Sequence, residues 1–137
     1  MKVLIVDDDQ VMRETLIVIA KSTDCEQIDS ATNGKDAMEM AVKTFYDMVT
    51  LDVRMPGVSG LDILAVIRDL APWSVIAIIT GYTEQISEAE LKFADLALSK
   101  PVKVKTIRSL MEMAEGLTEG RNGIRAMSER SERPTKE

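Results

Sequence analysis

Along this chain, short uninterrupted apolar runs alternate with stretches in which apolar residues recur every three or four positions. The runs are VLIV (3–6), the weaker EQIDSA (26–31), MVTLDV (48–53), VIAIIT (75–80) and LALS (96–99). Between and after them, helical spacing predicts helices near 10–21, 34–45, 59–70, 84–93 and 103–117. Ile63, Leu64, Ile67, Leu70 and Ala71 fall on one helical face. So do Ile107, Leu110, Met111, Ala114 and Leu117, and so do Ala37, Met38, Ala41 and Phe45. Runs such as VIAII do not alternate apolar with polar, which suits strands covered on both faces, as in parallel sheets. Asn33-Gly34, Pro56-Gly57, Ser59-Gly60, Pro72 and Pro101 supply turn signals where the pattern needs them. The reading is an α/β domain, βα repeated five times, with helices on both sides of a parallel sheet. It spans residues 1–117. Residues 118–137 are rich in charge and poor in apolar side chains, so we expect a frayed helix end followed by a disordered tail.

Composition narrows the function classes. The 137 residues suit one domain with a self-sufficient core. A net charge of −6 argues against direct nucleic-acid binding, which needs a clustered basic excess. No apolar run approaches the roughly 20 residues that span a bilayer, and no secretory-signal pattern is visible. The single cysteine, Cys25, cannot form an internal disulfide, so a cytoplasmic protein without a membrane partner is the expectation. There is no histidine. Acid–base or metal chemistry would therefore fall to carboxylates.

The candidate chemistry lies at the strand ends. In a sheet of this kind, ligands sit beyond the carboxyl ends of the strands. Asp7, Asp8 and Asp9 follow the first strand, Asp52 closes the third, Thr80 the fourth, and Lys100 with Pro101 the fifth. Two like charges about 4 Å apart repel by roughly 4 kcal/mol at an effective dielectric near 20, so clustered aspartates call for an offset. A hard divalent cation supplies one: Mg²⁺ takes oxygen ligands and keeps several waters. A metal and a lysine can hold the oxygens of a phosphoryl group, a hydroxyl can donate to another, and a carboxylate can attack phosphorus. Each residue also has a plainer reading: helix caps for the aspartates, strand propensity for Thr80, a solvated surface position for Lys100.

Four segments, VDDD, D-x-R-M-P-G-x-S-G, I-I-T-G and S-K-P, occur in order at the ends of the right strands. In them the chain resembles a response-regulator receiver domain, the phosphorylated half of two-component signalling. That resemblance implies a flavodoxin-like sheet of order 2-1-3-4-5. It implies Asp52 as phosphoacceptor, and Mg²⁺ held by Asp7, Asp8, Asp52 and the backbone carbonyl of Arg54. It gives Thr80 as the hydroxyl that reports the phosphoryl group, Lys100 as its ionic partner, and a cis bond before Pro101. Asp9 is left to cap the first helix. The implied partners are a sensor histidine kinase or histidine phosphotransfer protein and an unidentified downstream protein. Beyond its own phosphorylation and dephosphorylation, such a domain is not an enzyme.

Three features depart from the family pattern. Ala97 stands where many receivers carry a switching Tyr or Phe. Thr80 and Lys100 are 20 residues apart, which shortens the fourth helix. Phe93 stands where glycine is common. Tyr82 and Arg54 are expected to flank the phosphoryl group and to slow its hydrolysis. Two other functions stay open: a binding-only pseudo-receiver, and a haloacid-dehalogenase-like phosphatase with Asp7 as nucleophile and Asp9 as acid–base.

Overall fold

The computed structural model describes residues 1–132, with side chains to residue 127. Its elements alternate as the apolar pattern requires: β1 (Lys2–Val6), α1 (Gln10–Lys21), β2 (Gln27–Ala31), α2 (Gly34–Lys43), β3 (Met48–Leu51), α3 (Gly60–Leu70), β4 (Val75–Thr80), α4 (Glu88–Phe93), β5 (Leu96–Ser99) and α5 (Val104–Glu132). The five strands form one parallel sheet in the order β2-β1-β3-β4-β5. Period-two alternation divides the core between the two faces. Leu4, Val6, Val49 and Leu51 pack against α2 and α3, while Val3, Ile5, Met48 and Ile79 pack against α1 and α5.

Helix starts follow side-chain chemistry. Asp9 Oδ1 accepts from the amides of Val11 (3.0 Å) and Met12 (3.2 Å), so Asp9 is the N-cap of α1. Asn33 caps α2, and Ser87 with Glu90 forms a capping box on α4. Gly57 adopts φ +98°, a left-handed turn between Asp52 and α3. Gly60 opens α3 so close to Val53 that a Cβ there would lie 2.6 Å from Val53 Cβ.

Four expectations need correction. α2 stops at Lys43 because Thr44 turns extended, so Phe45 leaves the helix and is exposed, edge-on to the Trp73 ring. β3 ends at Leu51, which puts Asp52 just past the strand. On α5 the buried row is Ile107, Met111, Ala114 and then Thr118, so Leu117 points outward. α5 itself does not fray near residue 117 but continues to Glu132, with Arg121 donating to the Trp73 carbonyl at 3.3 Å. The remainder of the expected tail, residues 133–137, lies outside the described residues. The fourth helix is short, six residues preceded by a single 3₁₀ turn at Thr83–Gln85. The Lys100–Pro101 bond is cis. Among the described residues, no helix is long and apolar enough to cross a membrane.

Candidate functional site

The ladder of the sheet delivers four strand ends to one edge. The Asp7 amide donates to the Ala31 carbonyl (3.1 Å) and the Asp52 amide to the Val6 carbonyl (3.0 Å), which sets Asp52 beside Asp7. The Lys100 amide donates to the Thr80 carbonyl (2.8 Å), tying β5 to β4. Arg13 reaches back from α1 to donate to the Asp7 carbonyl at 3.0 Å. Backbone already held by the sheet therefore positions all four side chains.

The side chains then meet. Lys100 Nζ lies 2.9 Å from Asp7 Oδ2 and 2.9 Å from Asp52 Oδ2. The other Asp7 oxygen accepts the Asp9 amide (2.9 Å), and the other Asp52 oxygen accepts the Arg54 amide (2.9 Å). Oxygens of Asp7, Asp8 and Asp52 lie within 4.8 Å of one another. Asp7 is 1% exposed and Asp52 is buried, while Asp8 is open to solvent. Thr80 is fully buried, and its hydroxyl oxygen accepts the Tyr82 amide at 3.3 Å.

Three carboxylates face one ammonium, leaving two negative charges in excess in a mostly dry site. Desolvation raises the Asp7 carboxyl above its usual 3.8, against the lowering pull of Lys100 and the Asp9 amide. Burial opposes the charge on Lys100, but its hydrogen bonds to Asp7 and Asp52 outweigh that and hold it above 10.5. The asymmetry has a physical source. Lys100 keeps a fifth of its side chain in water and has two anionic partners, whereas Asp7 is sealed and shares its single cation. Hard oxygen donors, excess negative charge and one solvent-facing carboxylate fit Mg²⁺ or a similar cation.

Asp9 Oδ1 caps α1, and the Asp9 backbone amide donates to the Asp7 carboxylate. Arg54 and Tyr82 are the residues expected to flank the phosphoryl group, and their amides contact Asp52 and Thr80. The Arg54 guanidinium donates to the Gln85 carbonyl and lies 3.5 Å from Glu90 Oε1, and Tyr82 is 54% exposed. Glu90 is a buried acid of α4 that also accepts from the Ser87 hydroxyl (3.1 Å), and its Oε2 has no hydrogen-bond partner. This chain of contacts from Asp52 through Arg54 to α4 was missed in the sequence, where Glu90 reads as an ordinary surface residue. Its one signal was Ser87-x-x-Glu90, a capping box. Arg68 was missed too. Its guanidinium donates to the carbonyls of Phe93, Pro72 and Ser74 and to Asp95, clamping the end of α4 to the start of β4. Ala97 pairs with Ile78 in the sheet and packs on the core with Phe93.

Residues 3–112 match the family model of the response regulator receiver domain. The chain is 32% identical to the chemotaxis protein CheY of Listeria monocytogenes, covering 83% of this chain and 98% of that one. It is 40% identical to the protein-glutamate methylesterase/protein-glutamine glutaminase of Methanococcus maripaludis, over 69% of this chain but only 26% of that protein. The chain thus spans about a quarter of the methylesterases it matches. Response regulator TrrA of Thermotoga maritima, solved with Mg²⁺-BeF, superposes with a TM-score of 0.74 at 30% identity, covering 83% of this chain and 99% of TrrA. TrrA in complex with the histidine kinase ThkA superposes with a TM-score of 0.71.

Proposed function

The chain belongs to the response regulator receiver domain family of two-component signalling, and on that premise we propose that it is a switch thrown by phosphorylation of Asp52. The observation that carries this reading is the shared lysine: Lys100 Nζ sits 2.9 Å from both Asp7 and Asp52, with Thr80 buried on the neighbouring strand end. In the proposed reaction, a carboxylate oxygen of Asp52 attacks the phosphorus of a phosphohistidine on a partner. An O–P bond forms, the P–N bond breaks, and the electron pair returns to the imidazole. The Arg54 amide holds one Asp52 oxygen and so fixes the carboxylate plane. Lys100 pairs with the phosphoryl oxygens as they arrive, and the Thr80 hydroxyl donates to one of them. Asp7, Asp8 and Asp52, with the Arg54 carbonyl, would hold Mg²⁺, which when bound neutralises charge on the transferring group.

The donor is a histidine kinase or histidine phosphotransfer protein, because the chain has no histidine of its own. The complex of TrrA with a histidine kinase supports that class of partner. The setting is cytoplasmic, and the chain turns over no outside substrate. Any methylesterase-like activity would belong to residues this chain does not share with those relatives. To test the reading, incubate the protein with acetyl phosphate and Mg²⁺, reduce with borohydride and map the peptides. Conversion of Asp52 to homoserine is the expected result. Label on any other aspartate, or on none, contradicts it.

A further inference from the structure

Beyond Ala114, one face of α5 overhangs the sheet edge opposite the carboxylate site. Thr118, Arg121, Asn122 and Arg125 fall on that face, spaced as successive turns of a helix require. The strands are parallel, so Lys2, Asp47 and Trp73, at or just before the starts of β1, β3 and β4, share the edge that lies away from Asp7, Asp52 and Thr80. The five residues of β1 set the two edges ~16 Å apart. Between the helix face and this edge lies a cavity of about 400 Å³. Phe45 and Trp73 line it. Their rings meet edge-on at 68°, with centroids 5.8 Å apart, and the two residues are 60% and 41% exposed. Adjacent aromatic rings left this open are informative, because such side chains carry a large apolar area that is ordinarily kept out of water.

We propose that this cavity binds a small molecule that joins a flat ring to an anionic group, a phosphate or a carboxylate. Charge selects the anion. On a chain of net charge −6, Lys2, Arg121 and Arg125 line the cavity against Asp47 and Glu26. Arg121 is already engaged: it donates to the Trp73 carbonyl at 3.3 Å and lies 4.0 Å from Asp47 Oδ1, which fixes the overhanging helix to the sheet edge. Asp47 is engaged as well, since its Oδ2 accepts the Lys2 amide at 2.8 Å. The side chains of Lys2, Asn122 and Arg125 have no hydrogen-bond or ion-pair partner among the described residues. Two free cations and a free amide thus stand against one remaining acid, the exposed Glu26, and charge-assisted hydrogen bonds favour an anionic guest. The aromatic pair selects the ring: a flat guest covers one ring face and meets the other edge-on. A ring without charge leaves the cations unused, and an anion without a ring leaves Phe45 and Trp73 in water. The volume lies in the range of small-molecule sites. Such a ligand would clamp the end of α5 to the sheet edge at a place remote from Asp52, an input separate from phosphorylation.

The chain has a single tryptophan, so the Trp73 indole N–H gives one isolated NMR signal that reports the cavity directly. The test titrates the isotope-labelled full chain, in EDTA, with adenosine monophosphate and with naphthoate. Adenosine and naphthalenemethanol serve as rings without charge, and inorganic phosphate and acetate as charges without a ring. Saturable shifts of the Trp73 indole and of the amides from Arg121 to Arg125 are expected with at least one of the two complete probes. Adenosine monophosphate alone identifies a phosphate ligand, naphthoate alone a carboxylate, and both together the shared chemistry. Each half-probe should bind at least about tenfold more weakly. Arg125 is exposed, so Arg125→Gln keeps the fold; it should weaken the complete probe by about tenfold and leave phosphorylation of the protein by acetyl phosphate unchanged. No saturable shift with either complete probe, an uncharged ring that binds as tightly as its charged counterpart, shifts centred on Asp52 and Lys100, or undiminished binding by Arg125→Gln would each overturn the proposal.

Discussion

Asp7→Asn is expected to stabilise the metal-free protein and to abolish its response to Mg²⁺. Ionised Asp7 has its Asp52 and Asp8 neighbours within 4.8 Å and Lys100 at 2.9 Å. At an effective dielectric near 20, repulsion from the buried Asp52 is at least about 3.5 kcal/mol. Asp8 is solvated and adds about 1 kcal/mol at the dielectric of water, while attraction to Lys100 is about 6 kcal/mol. These contributions come within about 2 kcal/mol of cancelling. Burial of the Asp7 charge therefore decides the sign, since desolvation costs several kcal/mol per ion. The amide of the variant can still accept from the Asp9 N–H, so the α1 cap survives. The net gain should be about 1 kcal/mol, or roughly 2–5 °C in Tm for a domain of this length. Wild type should instead gain about 2.7 kcal/mol from Mg²⁺ at a hundredfold excess over Kd, and the variant almost none. The two stability curves must therefore cross as Mg²⁺ is added. Urea unfolding in EDTA and across a Mg²⁺ series reads this directly. Destabilisation of the variant in EDTA, or an unchanged Mg²⁺ response, refutes the reasoning.

The same site fixes the pH dependence in EDTA. Because the folded Asp7 carboxyl is raised, its stabilising contribution is complete below 3.8 and is lost as pH rises through the folded value, so the advantage of Asp7→Asn should vanish as pH falls toward 3.8. Lys100 is raised above 10.5, so its contribution holds below 10.5 and is lost as pH climbs through its folded value, a loss that Lys100→Met should not show. Arg68→Met removes four hydrogen bonds and should cost about 2–4 kcal/mol in urea unfolding, with amide exchange rising first at the end of α4. Gly60→Ala should cost about 2 kcal/mol by forcing the added methyl against Val53, and it should slow phosphorylation by shifting the loop after Asp52. Glu90→Gln should loosen α4, seen as faster amide exchange over residues 88–93, while leaving phosphorylation by acetyl phosphate within about twofold of wild type.

The strand ends were legible because they depend on short-range pattern alone. VLIV and VIAIIT are short, β-branched and bounded by polar or turn residues, which favours buried strands, and the polar residues closing them, Asp7 and Thr80, sit at the sheet's carboxyl edge. Helix ends were less legible, since they turn on single residues. Thr44 adopts an extended conformation and takes Phe45 out of α2, and nothing in the periodicity of Ala37, Met38 and Ala41 announces it. The polar sequence after Leu117 reads as a tail, but Arg121 docks on Trp73 and Asp47, partners that are distant in the chain. The contacts of the Arg54 side chain were not legible for the same reason. Its choice of Gln85 and Glu90 depends on where a short α4 lands, which only the packed fold determines.

The central claim is that Asp52 accepts a phosphoryl group with the help of its carboxylate and lysine neighbours. Intact mass after incubation with acetyl phosphate tests it most directly, with and without Mg²⁺, on wild type, Asp52→Asn and Lys100→Met. A single phosphoryl adduct on wild type that needs Mg²⁺, disappears in Asp52→Asn and is weakened in Lys100→Met is the predicted result. An adduct that persists in Asp52→Asn, or none on folded wild type under any condition, would contradict it.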